Sequence, residues 1–90
     1  MSRNIYKFKG SIKLKIKLDT VKDASMVSTL ANKYKECDID CKCGRYIIDL
    51  KSIMGILSLG LPKTVEVIIQ SDDDKLIDRI KKDLHKWEVV

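Results

Sequence analysis

Residues 51–60 read Lys51-Ser52-Ile53-Met54-Gly55-Ile56-Leu57-Ser58-Leu59-Gly60, a hydroxyl residue, an apolar run and a closing glycine. That order specifies a short helix from about Ser52 to Leu57. Ser52 stands where an N-cap oxygen accepts a hydrogen bond from an N–H two or three residues on. Gly60 marks the stop, and Pro62 cannot continue the helix. So short a helix buries only part of its apolar surface. Ile53, Met54 and Leu57 therefore fit either the core or an apolar docking surface, and Met is a usual choice for adaptable contacts.

Upstream, residues 12–18 alternate strictly as Ile-Lys-Leu-Lys-Ile-Lys-Leu. The spacing predicts a strand with Ile12, Leu14, Ile16 and Leu18 inward and Lys13, Lys15 and Lys17 outward. Residues 21–35 place Val21, Ala24, Val27, Leu30, Ala31 and Tyr34 on one helical face. Residues 38–50 form two short strands around Cys43-Gly44. Downstream, Thr64 to Gln70 is a β-branched strand with Val65, Val67 and Ile69 on one face. A last helix starts after Ser71. Asp72, Asp73 and Asp74 occupy its first turn and Lys81, Lys82 and Lys86 lie towards its end, as the helix dipole favours. Its apolar stripe is Leu76, Ile77, Ile80, Leu84 and Trp87.

The order is β-α-β-β-α-β-α. The simplest packing is α+β, a two-layer open-faced β-sandwich in which a four-stranded antiparallel sheet carries three helices on one face. Ninety residues make one small core. No apolar run approaches the length of a membrane span, and the N-terminus lacks the apolar core of a signal peptide, so a cytoplasmic protein is expected. The net charge of +5 is uneven. Arg3, Lys7, Lys9, Lys13, Lys15 and Lys17 carry six positive charges before the first acid, Asp19, whereas the rest holds twelve basic and thirteen acidic residues. The domain is expected over residues 11–90, with residues 1–10 as a basic extension or extra half-strand.

The stretch 51–60 resembles the regulatory-serine segment of HPr, the phosphocarrier of the bacterial sugar phosphotransferase system. The element order is also the HPr order, and Ala31-Asn32-Lys33-Tyr34 matches the pattern near the end of the first helix. The resemblance spans roughly residues 11–88. It implies Ser52 as a phosphorylation site, with Lys51 as a neighbouring cation and Ile53, Met54 and Leu57 at the docking surface. The same oxygen serves as a plain N-cap, and both readings stand.

In HPr the phosphohistidine stands just before the first helix within His-Ala-Arg-Pro. Counting back from Lys33-Tyr34, the histidine position falls on Thr20, the arginine position on Lys22 and the proline position on Asp23. The single histidine of the chain, His85, is near the end of the last helix, where a solvated role is expected. A relay needs an imidazole nitrogen as nucleophile and leaving group. Thr20-Val21-Lys22-Asp23 instead fits a capping box. This departure resembles catabolite-repression HPr, which keeps the serine and lacks the histidine. The resemblance then implies HPr kinase/phosphorylase and a catabolite-control transcription factor as partners.

Cys37, Cys41 and Cys43 lack the paired spacing and fourth ligand of a zinc site. Cys41 and Cys43 share strand parity with Ile39, which suits small buried hydrophobes, while Cys37 follows the first helix, where exposure is open to it. A soft-metal or redox site is the other reading. No nucleophile–base pair is evident, so the pattern points away from an enzyme, a cofactor or a small-molecule substrate. The lysine ladder discourages edge pairing of an outer strand. The alternative function is a basic binding module for nucleic acid or an acidic protein, with Tyr6 and Phe8 interleaved among the early lysines.

Overall fold

The computed structural model describes residues 12–89. The expected basic extension over residues 1–10, with Tyr6 and Phe8, lies outside the described residues. The elements run β1 (Ile12–Leu18), α1 (Val21–Asn32), β2 (Asp38–Cys43), β3 (Tyr46–Asp49), α2 (Ile53–Leu57), β4 (Lys63–Gln70) and α3 (Asp74–Leu84). A 3₁₀ turn over His85–Trp87 follows. The four strands form one antiparallel sheet in the order β1-β4-β2-β3. This is the α+β architecture expected from the pattern.

The alternation of β1 is realised residue by residue: Leu14, Ile16 and Leu18 are buried and the three lysines are exposed. Burying each such side chain fully stabilises by about 1.5–3 kcal/mol. Register sets Leu14 opposite Val67 and Ile16 opposite Val65, and Ile39 opposite Ile69, so the inward faces of β1, β4 and β2 make one apolar floor. Ala24, Val27 and Ala31 of α1 bury into the same core, as do Leu76, Ile77, Ile80 and Leu84 of α3 and Trp87 of the 3₁₀ turn, which completes the stripe expected of the last helix although α3 itself ends at Leu84. Gly44 turns the β2–β3 hairpin at φ +60°, a left-handed conformation that favours glycine.

Several details differ from the sequence pattern. Val21 keeps the helical spacing but is 61% exposed, because it is the first residue of α1 and the covered face begins at Ala24. The helix ends at Asn32, not near residue 35. The N–H groups of Lys33 and Tyr34 reach back only three residues, to Leu30 and Ala31, and this tightened end carries Tyr34 into the core. Cys37 is buried. At α3, Asp73 is the N-cap and accepts from the N–H groups of Lys75 and Leu76, so of the three aspartates only Asp74 stands in the first turn. Finally, Ile68 breaks the alternation of β4. It faces away from Val67 and Ile69, yet it is buried, as are Asp40 and Gln70, which are hydrogen-bonded to each other.

Candidate functional site

Ser52 caps α2 as its position predicts. Its Oγ accepts from the Gly55 N–H at 3.2 Å, and its backbone carbonyl accepts from the Ile56 N–H at 3.1 Å. The residue is exposed. Of the apolar run, Ile56 alone is fully buried. Ile53 and Leu57 are half-buried against the core, and Met54 is 74% exposed. Gly55 is demanded by packing, since a Cβ there would run into the Ile48 Cγ2. The absence of a side chain lets α2 lie directly on β3.

Lys51 is held by both its side chain and its main chain. Its ammonium donates to the carbonyls of Tyr34 at 2.7 Å and Cys37 at 2.9 Å. Its N–H donates to Asp49 Oδ1 at 2.9 Å. Its carbonyl accepts from Ser28 Oγ and Asn32 Nδ2, each at 2.9 Å. The cation beside Ser52 is thus engaged in tying the approach to α2 onto the end of α1. From the sequence, Asn32 enters only within the Ala31-Asn32-Lys33-Tyr34 pattern and Ser28 not at all, and neither is expected to contact Lys51. The signal was weak: two polar residues one helical turn apart on the side of α1 that faces the loop.

The other N-terminus, that of α1, carries the capping box in full. Thr20 Oγ1 accepts from the Asp23 N–H at 3.2 Å, and Asp23 Oδ2 accepts from the N–H groups of Thr20 at 3.2 Å and Asp19 at 3.1 Å. A contact invisible in the local sequence completes it: Trp87 Nε1 donates to Asp23 Oδ1 at 3.1 Å. The Trp87 hydrogen bond is the main reason the Asp23 carboxyl is held below its usual value of 3.8; partial burial opposes it, and the backbone N–H bonds add to the lowering. The segment that brings Trp87 here also pairs with the edge of β1. Ile16 bridges to Glu88, and the Val89 N–H donates to the Lys15 carbonyl at 2.9 Å. Lys22 is exposed in the same first turn.

His85 lies at the C-terminus of α3 with its side chain 81% exposed and 3.5 Å from Glu88. Burial pushes the Cys41 thiol up to about 12 and raises that of Cys37 as well, which keeps both protonated and inert. Among the described residues no group of His, Cys, Asp and Glu is placed to hold a metal ion. No described helix is long and apolar enough to cross a membrane.

The family model described as the PTS HPr component phosphorylation site matches residues 7–85. Among solved structures, the fold is similar to the crystal structure of HPr-C-His from Thermoanaerobacter tengcongensis, with a TM-score of 0.58 and 26% identity. That match covers 83% of this chain and 94% of the other. No curated protein sequence matches the chain.

Proposed function

Because the chain belongs to the PTS HPr family, matched over residues 7–85, we propose that it is an HPr-like adaptor that relays no phosphate through histidine and is switched by phosphorylation of Ser52. The relation to the phosphotransferase system comes with the family, whose members are phosphocarriers rather than enzymes in the usual sense. The observation that carries the rest is the contrast between a closed α1 N-terminus and an open α2 N-terminus.

At Thr20, on which the family's phosphohistidine position falls by counting back from Lys33-Tyr34, a hydroxyl replaces the imidazole. A threonine phosphate ester is too stable to hand its phosphoryl group on. The neighbouring Asp23 carboxylate opposes an incoming phosphate, and its bonds to three N–H groups commit it to structure. At Ser52 the residue is exposed, and among the described residues its Oγ is bonded to the Gly55 N–H alone. A phosphate there adds a charge of about −1.5 to −2 at the surface without entering the core. Met54, two residues on, offers an exposed apolar contact, Ile53 and Leu57 of the same helix are half-buried, and Lys22 is an exposed cation on α1. Lys51 contributes by holding the loop that presents Ser52. The resemblance names the partners: HPr kinase/phosphorylase as the enzyme that writes the mark, and a catabolite-control transcription factor as its reader.

The test is intact-mass spectrometry after incubation with ATP and HPr kinase/phosphorylase, with an ordinary HPr in the same tube as control. One phosphate mapped to Ser52 is expected, and it should be absent from Ser52→Ala. An unmodified chain beside a phosphorylated control would reduce Ser52 to a cap. The second reading, a basic binding module, is favoured by one observation: Lys13, Lys15 and Lys17 are exposed on an edge strand. Under it, salt-sensitive binding to nucleic acid would disappear when all three lysines become glutamate.

A further inference from the structure

A third surface feature is independent of both helix N-termini. The turn of the β2–β3 hairpin and the loop after α2 enclose a cleft of about 510 Å³ at one end of the sheet. Cys43, Arg45 and Tyr46 form one wall, Ser58 and Leu59 the other, and Ile48 and Lys63 also line it. The volume falls within the roughly 300–1,000 Å³ of small-molecule sites.

The lining has two cations, Arg45 and Lys63, and no acid. This is notable in a chain that carries a slight excess of acids after residue 18. Among the described residues neither cation takes part in an ion pair. Two other wet grooves among the described residues are different. One of about 300 Å³ contains Lys15 and Lys42, but Glu66 is register-paired with both and offsets one of the two charges. One of about 210 Å³ contains Glu36, Asp38 and Asp72.

The chemistry of the cleft is correspondingly specific. Guanidinium presents a planar fork that suits a phosphate or carboxylate, and lysine adds a point charge. Tyr46, 62% exposed, offers a ring face, and Ile48 and Leu59 offer apolar contact. The Ser58 hydroxyl already donates to the Gly55 carbonyl at 2.6 Å, so recognition of negative charge falls to Arg45 and Lys63. We propose that this cleft binds a small organic phosphate with an apolar or ring portion, the phosphate against Arg45 and Lys63 and the ring against Tyr46.

The experiment is a ¹H–¹⁵N NMR titration of the whole chain with phenyl phosphate, in parallel with inorganic phosphate and benzyl alcohol. Saturable shifts confined to residues 43–46, 58–59 and 63 are expected with phenyl phosphate, and weaker effects with the other two. Combining Arg45→Glu with Lys63→Glu should weaken phenyl phosphate binding by about tenfold or more, a difference of about 1.4 kcal/mol. Arg45→Gln with Lys63→Gln should do the same and guards against misfolding of the charge-reversed chain. Shifts centred on the β1 lysines, or unchanged affinity in a folded double variant, would overturn the proposal. Benzyl alcohol or inorganic phosphate binding as tightly as phenyl phosphate would do so as well.

Discussion

The first turns of α1 and α2 hang on the same device, a hydroxyl oxygen accepting the N–H three residues on, at 3.2 Å in each case. What separates them is the residue that supplies that N–H. In α1 it is Asp23, whose carboxylate reaches back to the cap and also takes the Trp87 indole. In α2 it is Gly55, which has nothing to return and admits Ile48 instead. One N-terminus is therefore stitched to a segment 64 positions away, while the other remains an exposed serine beside an exposed methionine. The lesson is that the third residue after a cap decides whether a helix start is closed into the fold or left available at the surface.

The largest expected break of this contrast is Trp87→Ala. It removes a nearly buried ring and the partner of Asp23, and should cost about 3–5 kcal/mol in urea unfolding. A loss under about 1 kcal/mol would mean that the closed end is not closed by Trp87.

Gly55→Ala comes next and is diagnostic by sign. Helix propensity alone predicts a gain of up to about 1 kcal/mol. The approach of Ile48, a branched side chain with little freedom to withdraw, predicts a loss of about 1–3 kcal/mol instead.

The caps themselves sharpen the comparison. Thr20→Ala should lose about 1–2 kcal/mol and Ser52→Ala about 0.5–1 kcal/mol, because α2 is only five residues long and holds less structure behind its cap. Equal losses would erase the distinction.

Acid should act on the closed end. The Asp23 carboxyl is lowered from 3.8 in the fold, so its contribution is present above that value and is lost as pH falls through the folded value. Urea midpoints measured from about pH 5 down to about pH 2 should fall less steeply in Asp23→Ala than in the parent.

Alkali tests a different contact. Tyr34 donates to Asp83, and desolvation first, then that bond, raises its phenol from 10.0 to about 12. The stability it contributes is present below pH 10 and is lost as pH rises through the folded value. Tyrosinate absorbance should show one phase near pH 12 that Tyr34→Phe removes. The smallest effect is expected at Met54→Ala, within about 0.5 kcal/mol of the parent, with its consequence confined to partner binding.

Local chemistry made much of this legible. The alternation of residues 12–18, the stripe of α3, the Ser52 cap and the Thr20–Asp23 box all depend on neighbours within a few positions, and each is present in the structure. What escaped was set by distance. The Trp87–Asp23 bond joins opposite ends of the domain. Lys51 finds carbonyls that are available only because α1 ends early and the chain turns at Tyr34. Val21 kept a perfect spacing but lacked a cover, which periodicity does not report. Cys37 was placed outside any regular element and buried nonetheless.

The pairing of β1 with β4 has a consequence for how the protein is made. Ile12 pairs with Ile69 and Leu18 with Lys63, and among the described strands β1 is paired with β4 alone. A ribosome delivers β1 first and its partner only after α1, β2, β3 and α2 have emerged. Throughout that interval Leu14, Ile16 and Leu18 have no sheet to bury them, and the lysines between them stand as the guard against pairing with the wrong chain.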